Sequence, residues 1–242
     1  RDSTTLRFPG VQETLATAVC NTGKPVVLVV MDGRPLELGW MADKIPAIVW
    51  AWKPGEEGGN ALADVLFGRY NPGGKLPVTF PHNVGQVPLY YGLKPTGGKS
   101  QFWGDYTDCP AGPIYEFGYG LSYTTFELSN LSISPSCVKP DGLITVTCNV
   151  KNTGSRPGDE VVQLYVNDVI ASLTRPLLQL KGFKRISLQP GQSGEVLFEL
   201  PVEELAFYGR DMKPVVEPGL FKVMVGTSSK TISLQGDFSV LQ

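Results

Sequence analysis

A single histidine in 242 residues removes much of the usual catalytic repertoire. His82 stands between Pro81 and Asn83 in loop-forming sequence, with no cysteine or second histidine at ligand spacing. A zinc site needs about four nitrogen or sulfur ligands, and no stretch supplies them, so no metal is expected. A serine triad would rest on this one imidazole, and no G-x-S-x-G turn is present to hold a serine above a sheet. An excess of one charge is missing too: 21 Lys and Arg face 23 Asp and Glu, a net charge of −2. Without a basic run there is no electrostatic footprint for nucleic acid or an anionic membrane, and neither is expected as a partner. The longest apolar run, Val26 to Met31, is strand-sized and far short of the ~20 residues of a membrane span. The sequence does not open on Met, no signal peptide is expected in it, and the opening Arg1-Asp2 reads as a mature or cut end.

Four cysteines are too few for a disulfide scaffold at this length. Cys137 and Cys148 flank the turn signal Lys139-Pro140-Asp141-Gly142, so they are candidates to face each other across a hairpin, as a disulfide or as two thiols. Cys20 falls on the apolar side of an expected helix, and Cys109 in a Pro/Gly-rich loop. Asn130-Leu131-Ser132 is a glycosylation sequon, with meaning only along a eukaryotic secretory route. The compartment stays open, with a slight lean to an extracytoplasmic one.

What the chain does have is 28 glycines, 20 prolines and 42% hydrophobic residues, the composition of a folded protein of one or two domains. The two halves differ. Residues 1–80 alternate helix and buried strand. Val11, Leu15, Ala18 and Val19 recur at helical spacing; Val26–Met31 and Ala47–Trp50 are continuous apolar runs, as in parallel strands covered on both faces. A second helix carries Ala61, Leu62, Val65 and Leu66, and Leu76–Phe80 is expected as a third strand, an edge one because of Pro77. Three strands make an incomplete, mostly parallel α/β sandwich domain, so further strands are expected upstream.

From residue 127 the period changes to two. Ile144, Val146, Cys148 and Val150 share a face, as do Val162, Leu164 and Val166, then Val196, Phe198 and Leu200, then Phe221, Val223 and Val225. Turn clusters separate them, which predicts an all-β sandwich over 127–242. Residues 81–126 form a long connecting loop, and long structured loops are often functional.

Two phosphate-loop lookalikes fail. Gly68 to Lys75 has Gly74 where lysine is needed, and Gly118-Tyr119-Gly120 reaches Tyr123 where the last glycine belongs. No cofactor is expected. Carboxylates remain as acid/base groups. Asp32 follows the Val26–Met31 strand at its carboxyl end, where open α/β sheets bind ligands, but Asp32-Gly33 also reads as a turn. Glu56 and Glu57 suit a helix N-terminus through its dipole, and Asp64 a structural role on the helix that follows. The segment from Pro95 to Asp108 combines aromatic faces with carboxylates, the pairing a sugar site needs. Trp103, Asp105 and Tyr106 are its candidate substrate contacts; a loop merely anchored by Trp103 is the plainer reading.

These stretches, in order, resemble the C-terminal part of a family 3 glycoside hydrolase of the β-glucosidase and β-xylosidase kind. Leu6 to Glu13, Gly23 to Val27 and Gly33 to Leu36 are similar to its α/β sandwich domain, and Pro54 to Ala61 to its P-G-x-E-x-G-x-A signature. Asn71 to Pro81 and Glu116 to Thr124 resemble two more signatures. Asn152-Thr153-Gly154 with Gly158 to Val166 resembles its fibronectin type III-like domain. The resemblance implies a retaining β-glycosidase that releases terminal β-linked glucose or xylose. Its aspartate nucleophile would come from an N-terminal barrel and its acid/base glutamate from just before the Leu6 region, so that no catalytic residue falls in this chain and the chain alone is inactive. The partners implied are a carbohydrate substrate and the missing N-terminal half, with room for a homo-oligomer in which the 95–108 loop rims a neighbour's sugar site. A non-enzymatic carbohydrate-binding or scaffold chain is the alternative. The fibronectin-like part is read as structural, with Tyr165, Phe207 and Tyr208 as the aromatics that could face outward.

Overall fold

A computed structural model describes residues 3–94 and 106–242, most of whose regular structure is β. They divide into two compact units, one of residues 3–70, 78–89 and 106–115, the other of 71–77, 90–94 and 116–242.

The first unit holds α1 (Gln12–Cys20), β1 (Val27–Val30), α2 (Met41–Lys44), β2 (Ala47–Trp50) and α3 (Gly58–Leu66). β1 and β2 pair in parallel with Val27 opposite Ala47 and Val30 opposite Trp50. Around them Val30, Leu36, Leu38, Met41, Ile45 and Phe80 are buried. Trp50 meets Phe80 edge to face, ring centroids 4.6 Å apart. α1 has the expected apolar stripe, yet buries none of it: Val11 is 76% and Leu15 63% exposed.

Leu76–Phe80 is not a third parallel strand. Phe80 forms an isolated antiparallel bridge with Tyr115, and Leu76 exchanges backbone bonds with Gly118 and Tyr119, each 2.8 Å. Pro77 lacks an N–H and the chain bends at Pro77 and Val78, so the segment supports no regular ladder.

The second unit is a β-sandwich. One sheet runs in the order β4 (Cys137–Val138), β12 (Ile232–Val240), β11 (Gly219–Gly226), β6 (Gly158–Asp168), β7 (Gln179–Leu188). The other is β3 (Phe126–Ser134), β5 (Leu143–Asn152), β8 (Ser193–Pro201). Two short strands, β9 (Phe207–Tyr208) and β10 (Pro214–Val215), pair with each other. Every residue assigned to an inward face by its period of two is buried between the sheets: Val146 of β5, Val162 of β6, Phe198 of β8 and Val223 of β11 lie in one core.

Two expectations need correction here. Cys137 and Cys148 do not face each other across a hairpin. The Lys139–Gly142 turn carries the chain between sheets, β4 pairing with β12 and β5 with β3 and β8, and all four thiols are free. Cys148 is buried, and that burial pushes its thiol up to about 11. Tyr165 and Phe207 are not surface aromatics. Tyr165 is fully buried although it lies on the outer face of β6, because residues 91 and 117 cover that face; Phe207 lies beneath the Arg175 guanidinium, 4.4 Å from its ring centre. Tyr208 alone is exposed.

Candidate functional site

Asp32 at the end of β1 is committed locally. Its Oδ1 accepts the Arg34 backbone N–H at 3.1 Å, the side-chain-to-backbone bond of an Asp-Gly turn, with the Arg34 Nε 3.8 Å away. At the N-terminus of α3, Glu57 accepts from the Asn60 amide at 2.6 Å. Asp64 forms an exposed pair with Arg69 at 3.6 Å, and its carbonyl accepts from Arg69 and Tyr70. These carboxylates serve the fold. Trp103 and Asp105 lie outside the described residues. Tyr106 is described and is 47% exposed.

The motifs that looked most like signatures hold the second unit together. Asn71 donates to the Pro157 carbonyl at 2.9 Å, while its Oδ1 accepts from the Ser122 hydroxyl and the Tyr123 N–H. Lys75 pairs with Glu160 at 2.8 Å, both side chains largely buried, and donates to the Gly120 carbonyl. Glu160 also accepts from the Val161 N–H. Gly120 must be glycine, since a Cβ there would sit 2.3 Å from the Gly74 carbonyl oxygen. Asn152, fully buried, accepts from Thr124 and donates to the Arg156 and Leu188 carbonyls. Ser228 donates to Glu116 at 2.6 Å.

Beside this clamp the outer face of β6 carries a satisfied polar group under an aromatic cover. The Tyr165 hydroxyl donates to Gln163 Oε1 at 2.5 Å, and the Gln163 amide donates to the Gly118 and Thr227 carbonyls. Tyr91 stacks on Phe117 with centroids 4.4 Å apart and meets Tyr165 edge-on at 6.0 Å. Burial holds the Tyr165 hydroxyl far above its ordinary range. Tyr165 and Gln163 are themselves closed off from solvent. The sequence reading assigns no role to Glu160 or Gln163 individually. The available signal was a polar residue at 163 inside the otherwise apolar run Val161–Val166.

Across the β6–β7 pair, Asp159 of β6 accepts from Ser187 of β7 at 2.5 Å and pairs with Arg185. The serine bond first, then the guanidinium, hold its carboxyl below the ordinary value against the opposing effect of burial. A carboxyl depressed in the folded state stabilises above its unfolded pKa and loses that contribution as pH falls through the folded one. The stability gap between the native chain and Asp159→Asn should therefore close as pH drops from about 5 toward 3. Urea midpoints at stepped pH check it; a gap that widens would contradict the assignment. Asp168, raised by burial, acts in the opposite direction and is unchanged in both proteins.

With this geometry in view, the chain can be set beside known proteins. Residues 1–123 match the family model described as the glycosyl hydrolase family 3 C-terminal domain. The chain belongs to that family. Residues 160–229 match a fibronectin type III-like domain, which lies within the β-sandwich. A periplasmic beta-glucosidase of Salmonella typhimurium is 46% identical over 98% of this chain, and a beta-xylosidase of Formosa agariphila 45% identical over 97%. The crystal structure of the Listeria innocua beta-glucosidase in complex with glucose superposes on 98% of this chain with a TM-score of 0.92 at 40% identity. The chain covers 32% of each of those two curated relatives and 34% of the crystallised chain, so it spans about a third of their length.

Proposed function

We propose that this family 3 chain is the C-terminal portion of a retaining β-glycosidase that releases terminal β-linked glucose or xylose from oligosaccharides and glycosides. The observation that carries the reading is the match over nearly the whole chain to relatives named as beta-glucosidases and beta-xylosidases, at 46% and 45% identity. Retention needs two carboxyls roughly 5 Å apart across the scissile bond. Asp32, Glu57 and Asp64 are each engaged in a turn, a helix start or a surface pair. That supports a nucleophile and an acid/base outside this chain. The exposed apolar stripe of α1 and the 48% exposed Val27 of β1 support packing of an α/β sandwich domain against further protein. The lean to an extracytoplasmic site has the support of the periplasmic Salmonella relative.

The test pairs the 242-residue chain with the gene product that includes any upstream segment, each assayed on chromogenic β-glucoside and β-xyloside. Turnover by the longer protein only is the expected result; turnover by the 242-residue chain alone would overturn the placement of the catalytic carboxyls. Within this reading Trp103, Asp105 and Tyr106 contact the sugar. Trp103→Ala and Asp105→Ala in the active enzyme should each raise KM, by roughly 5- to 30-fold for a lost stacking face or charged hydrogen bond, with kcat less affected. Unchanged kinetics on both glycosides would remove these residues from the site.

A further inference from the structure

The carboxyl ends of β1 and β2 hold side chains that the fold leaves unused. Val30 and Trp50 are opposite each other in the parallel pair, so the exits Met31–Arg34 and Ala51–Pro54 leave the sheet side by side. In open α/β sheets this edge is where ligands bind. Lys53 reaches across to the neighbouring exit: a Cβ on Gly33 would sit 3.1 Å from its Cε and 3.4 Å from its Nζ. Among the described residues Lys53 makes no ion pair. Arg34 Nε is buried without a hydrogen-bond acceptor, and its ion-pair partner 3.8 Å away, Asp32, already accepts the Arg34 backbone N–H. Two cations thus stand on adjacent exits, Arg34 with one partly occupied anion and Lys53 with no ion-pair partner among the described residues.

Trp52, the residue before Lys53 in the same strand exit, sits at φ +53. Bulky side chains rarely occupy the left-handed region, and such strain collects at ligand sites. The indole is held by edge contacts to Trp50 and Phe80, each with centroids 6.1 Å away, and stays half-buried. A glycine would take this backbone without strain; the chain carries an aromatic face instead.

Resting on the glycosidase reading, we propose that Trp52, Lys53 and Arg34 form a contact site for a sugar unit that bears a carboxylate. The indole packs on the pyranose face, and the two cations donate hydrogen bonds to the acid group. An aromatic face and cationic donors with spare hydrogen-bonding capacity on adjacent strand exits are the make-up of a saccharide site, and the surplus positive charge selects the acidic form.

The experiment titrates the whole 242-residue chain with xylotriose and with glucuronic acid-substituted xylotriose, by ligand-observed NMR at low salt. The acidic sugar should bind at least ~3-fold more tightly, and the preference should fall with added salt. Lys53→Met should abolish the preference. Trp52→Gly, which relaxes the backbone and is checked for folding by circular dichroism, should weaken both sugars. Equal affinity for the two sugars, no binding of either, or native binding by both variants would overturn the site. Binding here needs no turnover, so a failed hydrolysis assay on the longer protein tells against the glycosidase reading alone.

Discussion

Lys75→Met should destabilise the β-sandwich unit by about 3–5 kcal/mol, because it leaves the Glu160 carboxylate buried without its cation. The pair is 2.8 Å long, and only 14% of the lysine side chain and 9% of the glutamate are exposed, so water cannot take the place of the lost partner. Lys75 also supplies the Gly120 carbonyl with a donor, and that bond disappears with it. Glu160→Gln should cost less, since the amide oxygen still accepts from the Val161 N–H and from Lys75. The double variant Lys75→Met/Glu160→Leu should recover much of the loss, as buried pairs replaced by apolar groups often do. Urea unfolding followed by circular dichroism measures all three. A cost below about 1 kcal/mol for Lys75→Met would place the pair with solvated surface bridges instead.

That lysine shows where the sequence could be read and where it could not. The inward faces of the sandwich were legible because alternation depends only on each strand's own residues: Ile144, Val146, Cys148 and Val150 are buried as their spacing required. Helices α1 and α3 were legible for the same reason. Strand pairing was not, since it depends on residues far apart. Leu76–Phe80 looked like a strand but bends at Pro77 and Val78, and its partners at 115–119 could not be found from its own pattern. The change of sheet between Cys137 and Cys148 was hidden likewise, since one turn signal serves a hairpin or a crossing. The signatures were visible as motifs, yet their role in the sandwich appears only when Asn71 meets Ser122 and Lys75 meets Glu160. Of the candidate sugar contacts only Tyr106 falls among the described residues, and it is exposed. Trp52 was passed over because a left-handed backbone leaves no mark on a sequence unless the residue is glycine or asparagine.

The second large effect separates an aromatic that binds from one that packs. If Tyr165 were an outward platform, Tyr165→Ala would weaken sugar binding and leave stability almost unchanged. The buried ring predicts the reverse: a loss of about 3–5 kcal/mol, the usual cost of removing a fully enclosed aromatic from a core. Tyr165→Phe isolates the hydroxyl. It keeps the packing against Tyr91 but leaves Gln163 Oε1 without its donor, and should cost about 1–3 kcal/mol. Gly118→Ala attacks the same group from the other side. The φ of +81 disfavours any side chain there, and the new Cβ would lie 2.1 Å from Gln163 Oε1, so the amide must move and drop its bonds to Gly118 and Thr227. Because Gly118→Ala and Tyr165→Phe both act through Gln163, their costs should fall short of additive when combined. Denaturation midpoints of the two single variants and the double give that coupling directly. Fully additive costs would mean that Gln163 does not join the two sides.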